Sequence, residues 1–408
     1  MLELPETFVA GFHDEETVRK MRYRTLEHYG KVSVLSFGAS GLGGMFTKGA
    51  GTGIKDAAEK RHHAADEDVW FMEDAAEDKA MAREIVHKAL QAGVNLFDTA
   101  HWYGQGKSER MLGHAFRGVP RRAFYVNTKI GRYDKDPCKM FDFTAERVYQ
   151  SVCDSLRRLQ LDYIDAVQIH DPEFCPSVDI LVNETLPALQ RCKDEGKIRL
   201  IGMTGYPLAV QREIIARSSV AIDTSLTYCH YSLNDTSLLT GGFIDFCRSR
   251  SIALINASPI SMGLLMDRAP PDWHPATAET KALCVTANEY CRSKGVNISK
   301  IALAFTLAEE TIATTLVSTT NAKRLLANIE IARVGHALSA EELAAMEHMR
   351  DHIFVKDHSW EGVELAAYWP AVGKRLVTEK QYSNKRARTS PATGANLAHL
   401  ACAGKKEE

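Results

Sequence analysis

The chain has 408 residues, 45% of them hydrophobic, and a formal net charge of -2. That supplies apolar material for one large or two modest cores, and the near-neutral balance predicts neither a nucleic-acid nor a membrane partner. No apolar run approaches the ~20 residues of a membrane-spanning helix. The N-terminus lacks a signal peptide's basic flank and apolar core, and nine cysteines lie without CxxC or His-Cys ligand spacing, so reduced thiols, no metal site and a cytoplasmic location are expected.

Residues 1–20 read as a loosely packed N-terminal extension. Alternation around Gly30 predicts a hairpin over 21–37, followed by the glycine-rich loop Gly38-Ala-Ser-Gly41-Leu-Gly43-Gly44. Its spacing is not that of a dinucleotide phosphate loop, so it reads as a turn near a ligand. Residues 48–78 are charged and too long for an ordinary connection, so they read as a solvated insertion.

From residue 80 a rhythm sets in. Helices are expected over 80–92, 108–116, 144–159, 180–195, 208–216, 238–250, 277–294, 299–308, 321–331 and 339–350. Strands are expected over 34–37, 95–97, 123–128, 163–169, 198–203, 221–226, 252–256 and 314–317. Eight strands alternating with helices predict an α/β fold, a (β/α)8 TIM barrel spanning 21–355, rather than an open doubly wound sheet. Residues 356–374 form a C-terminal segment, and the small, polar 375–408 reads as a disordered tail.

Chemistry gathers at the C-terminal ends of three successive strands. Asp98 and Tyr103 follow one, Lys129 ends the next and His170 ends the third. A tyrosine is too weak an acid to serve as a base near neutrality, but an ammonium beside it favours the phenolate. Lys129 can supply that charge, Asp98 can hold Lys129, and His170 can bond the substrate oxygen. Proton transfer at a carbinol or carbonyl oxygen needs a matching hydride carrier, which no side chain provides, so a nicotinamide is implied. His101, Trp102, Tyr133, His230 and Met262, each in a loop after a strand, are expected to line a substrate pocket.

Asp98-Thr-Ala-His-Trp-Tyr103-Gly104, Lys129 and His170 resemble the catalytic tetrad of the aldo-keto reductase superfamily. Lys129-Ile-Gly-Arg-Tyr133, His170-Asp-Pro-Glu-Phe174, Ser225-Leu-Thr-Tyr-Cys-His-Tyr231, Ala257-Ser-Pro-Ile-Ser-Met-Gly-Leu-Leu265 and Pro270-Pro-Asp-Trp-His-Pro275 are similar to its plant-type L-galactose dehydrogenase branch. The resemblance implies oxidation of L-galactose at C1 with NAD, giving L-galactono-1,4-lactone on a route to ascorbate, by a monomer or weak dimer whose partner is a small sugar. It implies cofactor contacts from Thr204, Ser225, Ser258, Pro259, Gly263, Leu264, Ser318, Thr320, Arg324 and Asn328. Where many members stack a tyrosine on the nicotinamide, this chain has Ala257. Ser318 stands where a lysine would bind the NADP 2′-phosphate, which favours NAD; Arg324 suits that phosphate and keeps NADP open. D-Arabinose and L-fucose dehydrogenases and a general NADPH aldehyde reductase are the neighbouring readings, and a non-catalytic nicotinamide-binding subunit is a more distant one.

Overall fold

The computed structural model describes residues 3–45 and 74–374. Residues 46–73, most of the expected insertion, and the expected tail 375–408 lie outside the described residues. A two-stranded hairpin, β1 (Tyr23–Leu26) and β2 (Gly30–Ser33), precedes a closed parallel barrel. The barrel strands are β3 (Leu35–Gly38), β4 (Leu96–Asp98), β5 (Tyr125–Ile130), β6 (Ile164–His170), β7 (Ile198–Thr204), β8 (Thr224–Tyr228), β9 (Ala253–Ala257) and β10 (Thr314–Val317). They pair in chain order, and β10 closes onto β3 through Thr315 opposite Leu35. This is the (β/α)8 architecture expected from the alternation of elements.

The strand period of two sorts the side chains between two cores. Leu96, Ala166, Leu226, Ala253, Ile255 and Leu316 point into the barrel, where Leu26, Tyr29 and Val32 of the hairpin plug its N-terminal end. Tyr29 donates to Asn127 Oδ1 at 2.8 Å, which ties that plug to β5. The intervening residues face the helices. Phe97 on β4 meets Phe116 edge-on at 5.4 Å, and Phe116 stacks on Phe124 at 4.0 Å. Such pairs contribute about 0.5–1.5 kcal/mol each beyond their burial.

Four elements differ from expectation. The helix Ala76–Gln91 begins inside the expected insertion, anchored by Asp74, which takes two hydrogen bonds from Arg110 at 2.8 and 2.9 Å. Residues before 20 are not loose: Asn95 Nδ2 donates to Thr7 at 2.9 Å, and the short helix Glu15–Lys20 buries its Val18. The helix expected over 180–195 is interrupted by a π turn, Leu181–Thr185. Ser237–Thr240 and Phe243–Arg248 break where one helix was expected, because Gly242 turns left-handed at φ +64°.

The C-terminal segment, residues 356–374, returns over the barrel's C-terminal face. Trp360 stacks on Tyr206 at 4.9 Å, and Tyr368 packs edge-on against Phe141 and Phe174 at 5.4 and 5.2 Å.

Candidate active site

The polar layer at the top of the barrel is built from inward positions of adjacent strands. Lys129 on β5 is 2% exposed and uses all three ammonium hydrogens inside the protein. One goes to Asp98 Oδ1, one to the Thr99 carbonyl at 2.8 Å and one to the Tyr103 hydroxyl at 3.3 Å. The second Asp98 oxygen accepts from Gln168 Nε2 at 3.0 Å. Gln168 was not singled out in the sequence, although it lies two residues before His170 and therefore on the same strand face. His170 meets Tyr103 edge-on, with ring centres 6.0 Å apart, and its buried Nδ1 has no partner among the described residues.

The loop between Asp98 and the next helix is held at its base. Thr99 and Ser108 share a hydroxyl–hydroxyl bond at 2.8 Å, and Ser108 donates to the Ala39 carbonyl at 2.7 Å. The next residue, buried Glu109, accepts from Thr128 at 2.5 Å and from Arg158 at 2.5 Å. Glu109 thus ties the helix that follows Tyr103 to the strand that carries Lys129. Gly43 and Gly104 meet backbone to backbone: a Cβ on Gly43 would sit 2.3 Å from the Tyr103 carbonyl oxygen. Gly43→Ala should therefore push the Tyr103 loop outward and lower kcat by about tenfold or more, because a displacement near 1 Å can cost about a hundredfold. Steady-state rates of the folded variant check this.

Charge is tuned mainly by burial. Burial raises the Tyr103 phenol above its ordinary pKa, and Lys129 pulls it back down without cancelling the rise. Burial also raises Asp98 against the opposing pull of Lys129. For Lys129 burial opposes the charge, but Asp98 and Tyr103 outweigh it and hold the amine charged. Burial lowers His170 to about 3, so its ring is neutral near pH 7 and can donate or accept a hydrogen bond.

Several residues expected at the mouth lie elsewhere. Ser225 faces outward on β8 and donates to Gln211 Oε1 at 2.7 Å, so it serves the helix layer rather than a cofactor. His230 is buried with both ring nitrogens engaged, by the Ser237 hydroxyl at 2.8 Å and the Tyr206 carbonyl at 2.5 Å, and it supports the loop instead of lining a pocket. Tyr133 is covered by the Arg147 guanidinium at 4.1 Å and backed by His101 at 5.4 Å; both rings pack under the helix Ala145–Leu159. Leu264 is buried in an apolar cluster, leaving only its backbone for a ligand. Trp102 lies beneath the Arg132 guanidinium at 4.2 Å, and Met262 is half-buried in the loop after β9.

The barrel, the Asp98–Lys129–Tyr103 chain and the neutral His170 can now be set beside known proteins. The Aldo/keto reductase family model matches residues 69–351. The chain belongs to the aldo/keto reductase family. It is an oxidoreductase of that family. It is 38% identical to L-galactose dehydrogenase of Arabidopsis thaliana over 349 residues, covering 84% of this chain and 97% of the relative. It is 29% identical to D-arabinose 1-dehydrogenase of Saccharomyces cerevisiae, covering 67% of this chain and 84% of that protein. In fold it is similar to the aldo-keto reductase AKR11C1 from Bacillus halodurans, with TM-score 0.57 and 24% identity over 81% of this chain and 96% of that one.

The mouth of this aldo/keto reductase has features that fit a nicotinamide dinucleotide. Tyr228 ends β8 pointing inward, and its register partner on β9 is Ala257, which carries only a methyl group. The half-buried Tyr228 ring stacks on Tyr206 at 5.3 Å, so a flat aromatic surface stands beside Thr204, itself paired with His170. Along the same rim run the loop 258–264, whose Ser258 and Gly263 have φ of +60° and +100°, and the loop 318–320. The Ser318 hydroxyl accepts from the Gly41 amide at 3.1 Å and the Ser40 hydroxyl at 3.0 Å. Arg324 and Asn328 lie on the next helix, Ala322–Ala332, with Arg324 exposed.

Proposed function

We propose that this protein oxidises an aldose at C1 with a nicotinamide dinucleotide, that the sugar is L-galactose and that the product is L-galactono-1,4-lactone, on a route to ascorbate. The observation that carries the reading is the Lys129 ammonium, bonded at once to Asp98 and to the Tyr103 hydroxyl beside a neutral imidazole. That arrangement suits proton transfer at a carbinol oxygen. Likeness to two sugar 1-dehydrogenases supports an aldose as the carrier of that carbinol.

In this reading Tyr103 takes the proton from the C1 hydroxyl. Lys129 stabilises the phenolate that must exist for Tyr103 to act as base, and Asp98 and Gln168 fix the ammonium. His170, through its free ring nitrogen, orients the C1 oxygen. A bound nicotinamide supplies the hydride acceptor at C1. Loss of the O–H proton and of the C1 hydride leaves a C1=O bond, the lactone carbonyl. Thr204, Tyr228, Ser258, Pro259, Gly263 and the 318–320 loop would hold the dinucleotide.

Initial rates with L-galactose, L-fucose and D-arabinose, each with NAD and NADP, test the proposal. L-Galactose with NAD should give the largest kcat/KM, because Ser318, where a lysine would bind the 2′-phosphate, offers it no cation. A preference for NADP above about tenfold, near 1.4 kcal/mol, would overturn the cofactor assignment. Exposed Arg324 would then be its source, and Arg324→Gln should abolish it. A higher kcat/KM for D-arabinose would move the substrate assignment to the pentose.

A further inference from the structure

The rim beside His170 holds charged groups that the proton path does not use. Asp171 follows His170 in a left-handed conformation, φ +52°, and accepts from Arg132 Nη1 at 2.6 Å. Arg132 comes three residues after Lys129, and its buried Nε has no partner among the described residues. The C-terminal segment closes over this pair. Trp360 is pinned on the β7 side, where its amide donates to the Tyr206 hydroxyl at 3.1 Å. Tyr368 is pinned on the β5–β6 side, where its hydroxyl donates to the Pro137 carbonyl at 3.0 Å.

Residues 363–374 are helical, so residues four apart share a face. Glu364 lies four residues before Tyr368 in this helix and shares its inward face, whereas Val363 and Trp369 are exposed. Glu364 is half-buried, and one turn further on Tyr368 packs edge-on against Phe141, whose ring lies 5.4 Å from the Arg132 guanidinium, so this face of the helix is turned towards the Arg132–Asp171 pair. Burial raises its carboxyl pKa, Arg132 opposes the rise and Asp171 adds to it. The Arg132–Asp171 pair lies beside His170, with Asp171 3.6 Å from the His170 Nε2, and the inward face of the C-terminal helix brings the Glu364 carboxyl towards it.

We propose that Glu364, Arg132 and Asp171 form the subsite that grips the hydroxyls of a polyhydroxylated substrate away from its reacting carbon. The assignment rests on the aldose reading above. A diol needs acceptors for its protons and donors for its lone pairs, and the trio offers both as charge-assisted bonds. It makes the C-terminal segment part of the substrate site and Glu364 its specificity-determining residue.

Glu364→Leu tests this in the full-length protein. KM for L-galactose should rise about ten- to a hundredfold, the range for lost hydrogen bonds to a charged group. kcat should stay within about threefold and KM for NAD within about twofold, since neither proton path nor cofactor rim is touched. If Glu364→Leu lowers the melting midpoint, Glu364→Gln, which keeps the side chain's shape, carries the test and should raise KM about fivefold or more. An unchanged sugar KM, or a fall in kcat with KM constant, overturns the subsite while leaving the aldose reading intact. A wild-type protein that oxidises none of L-galactose, L-fucose and D-arabinose defeats that reading itself, and the subsite with it.

Discussion

Tyr103→Phe should lower kcat for L-galactose oxidation by about 10²–10⁴-fold, the usual worth of a positioned general base, and leave KM for NAD within about twofold. The reason is geometric. Lys129 bonds the Tyr103 hydroxyl together with Asp98 and the Thr99 carbonyl, and His170 presents its edge to the same ring. Phenylalanine keeps the ring against His170 and removes only the oxygen. The comparison needs chemistry to be rate-limiting, which a deuterium isotope effect at C1 establishes. A variant that shows the effect yet retains more than about a tenth of the wild-type kcat would remove Tyr103 from the role of base. His170 would be a poor substitute, because burial holds its pKa near 3 and its neutral ring is a weak base.

The parts of this molecule that were legible in its sequence are those written in local periodicity. β4 through β7 appear within about two residues of where alternating apolar runs place them, since a strand buried on both faces reads as a continuous apolar run. The tetrad was legible for the same reason: strand ends that carry Lys129 and His170 fix both residues at one face of a parallel barrel. Side-chain direction was harder to read. Ser225 and His230 lie near the right elements, but Ser225 occupies an outward position of β8 and the His230 nitrogens are consumed by Ser237 and Tyr206. One residue of register separates a cofactor contact from a helix contact. Tyr133 was misplaced because the loop after β5 turns it under Arg147. The folded-back C-terminal segment was the least legible part, because its anchors, Trp360 and Tyr368, find partners more than 150 residues away. The four-residue step from Glu364 to Tyr368, both in the helix over 363–374, was the available signal.

Lys129→Met should produce the second large effect, and on two observables at once. The ammonium is the one group that pulls the buried phenol back towards ionisation, so its loss raises the Tyr103 pKa further. The alkaline limb of the kcat profile should therefore move to higher pH, with a loss of about tenfold or more in kcat at neutral pH. Stability should change as well. Asp98 is 2% exposed, and removing its cation breaks a buried pair, a change worth about 3–5 kcal/mol. In the variant, the folded-state pKa of Asp98 climbs further above its unfolded value of about 3.9. A carboxyl with a raised folded-state pKa binds its proton more tightly when folded. Stability then falls as pH rises from about 4 through the folded pKa, and is flat above it. Melting midpoints followed from about pH 4 to pH 8 should drop more steeply for Lys129→Met than for the wild-type protein. If the two slopes coincide and the alkaline limb stays in place, the ammonium governs neither the carboxylate nor the phenol, and the proton path drawn through Lys129 fails.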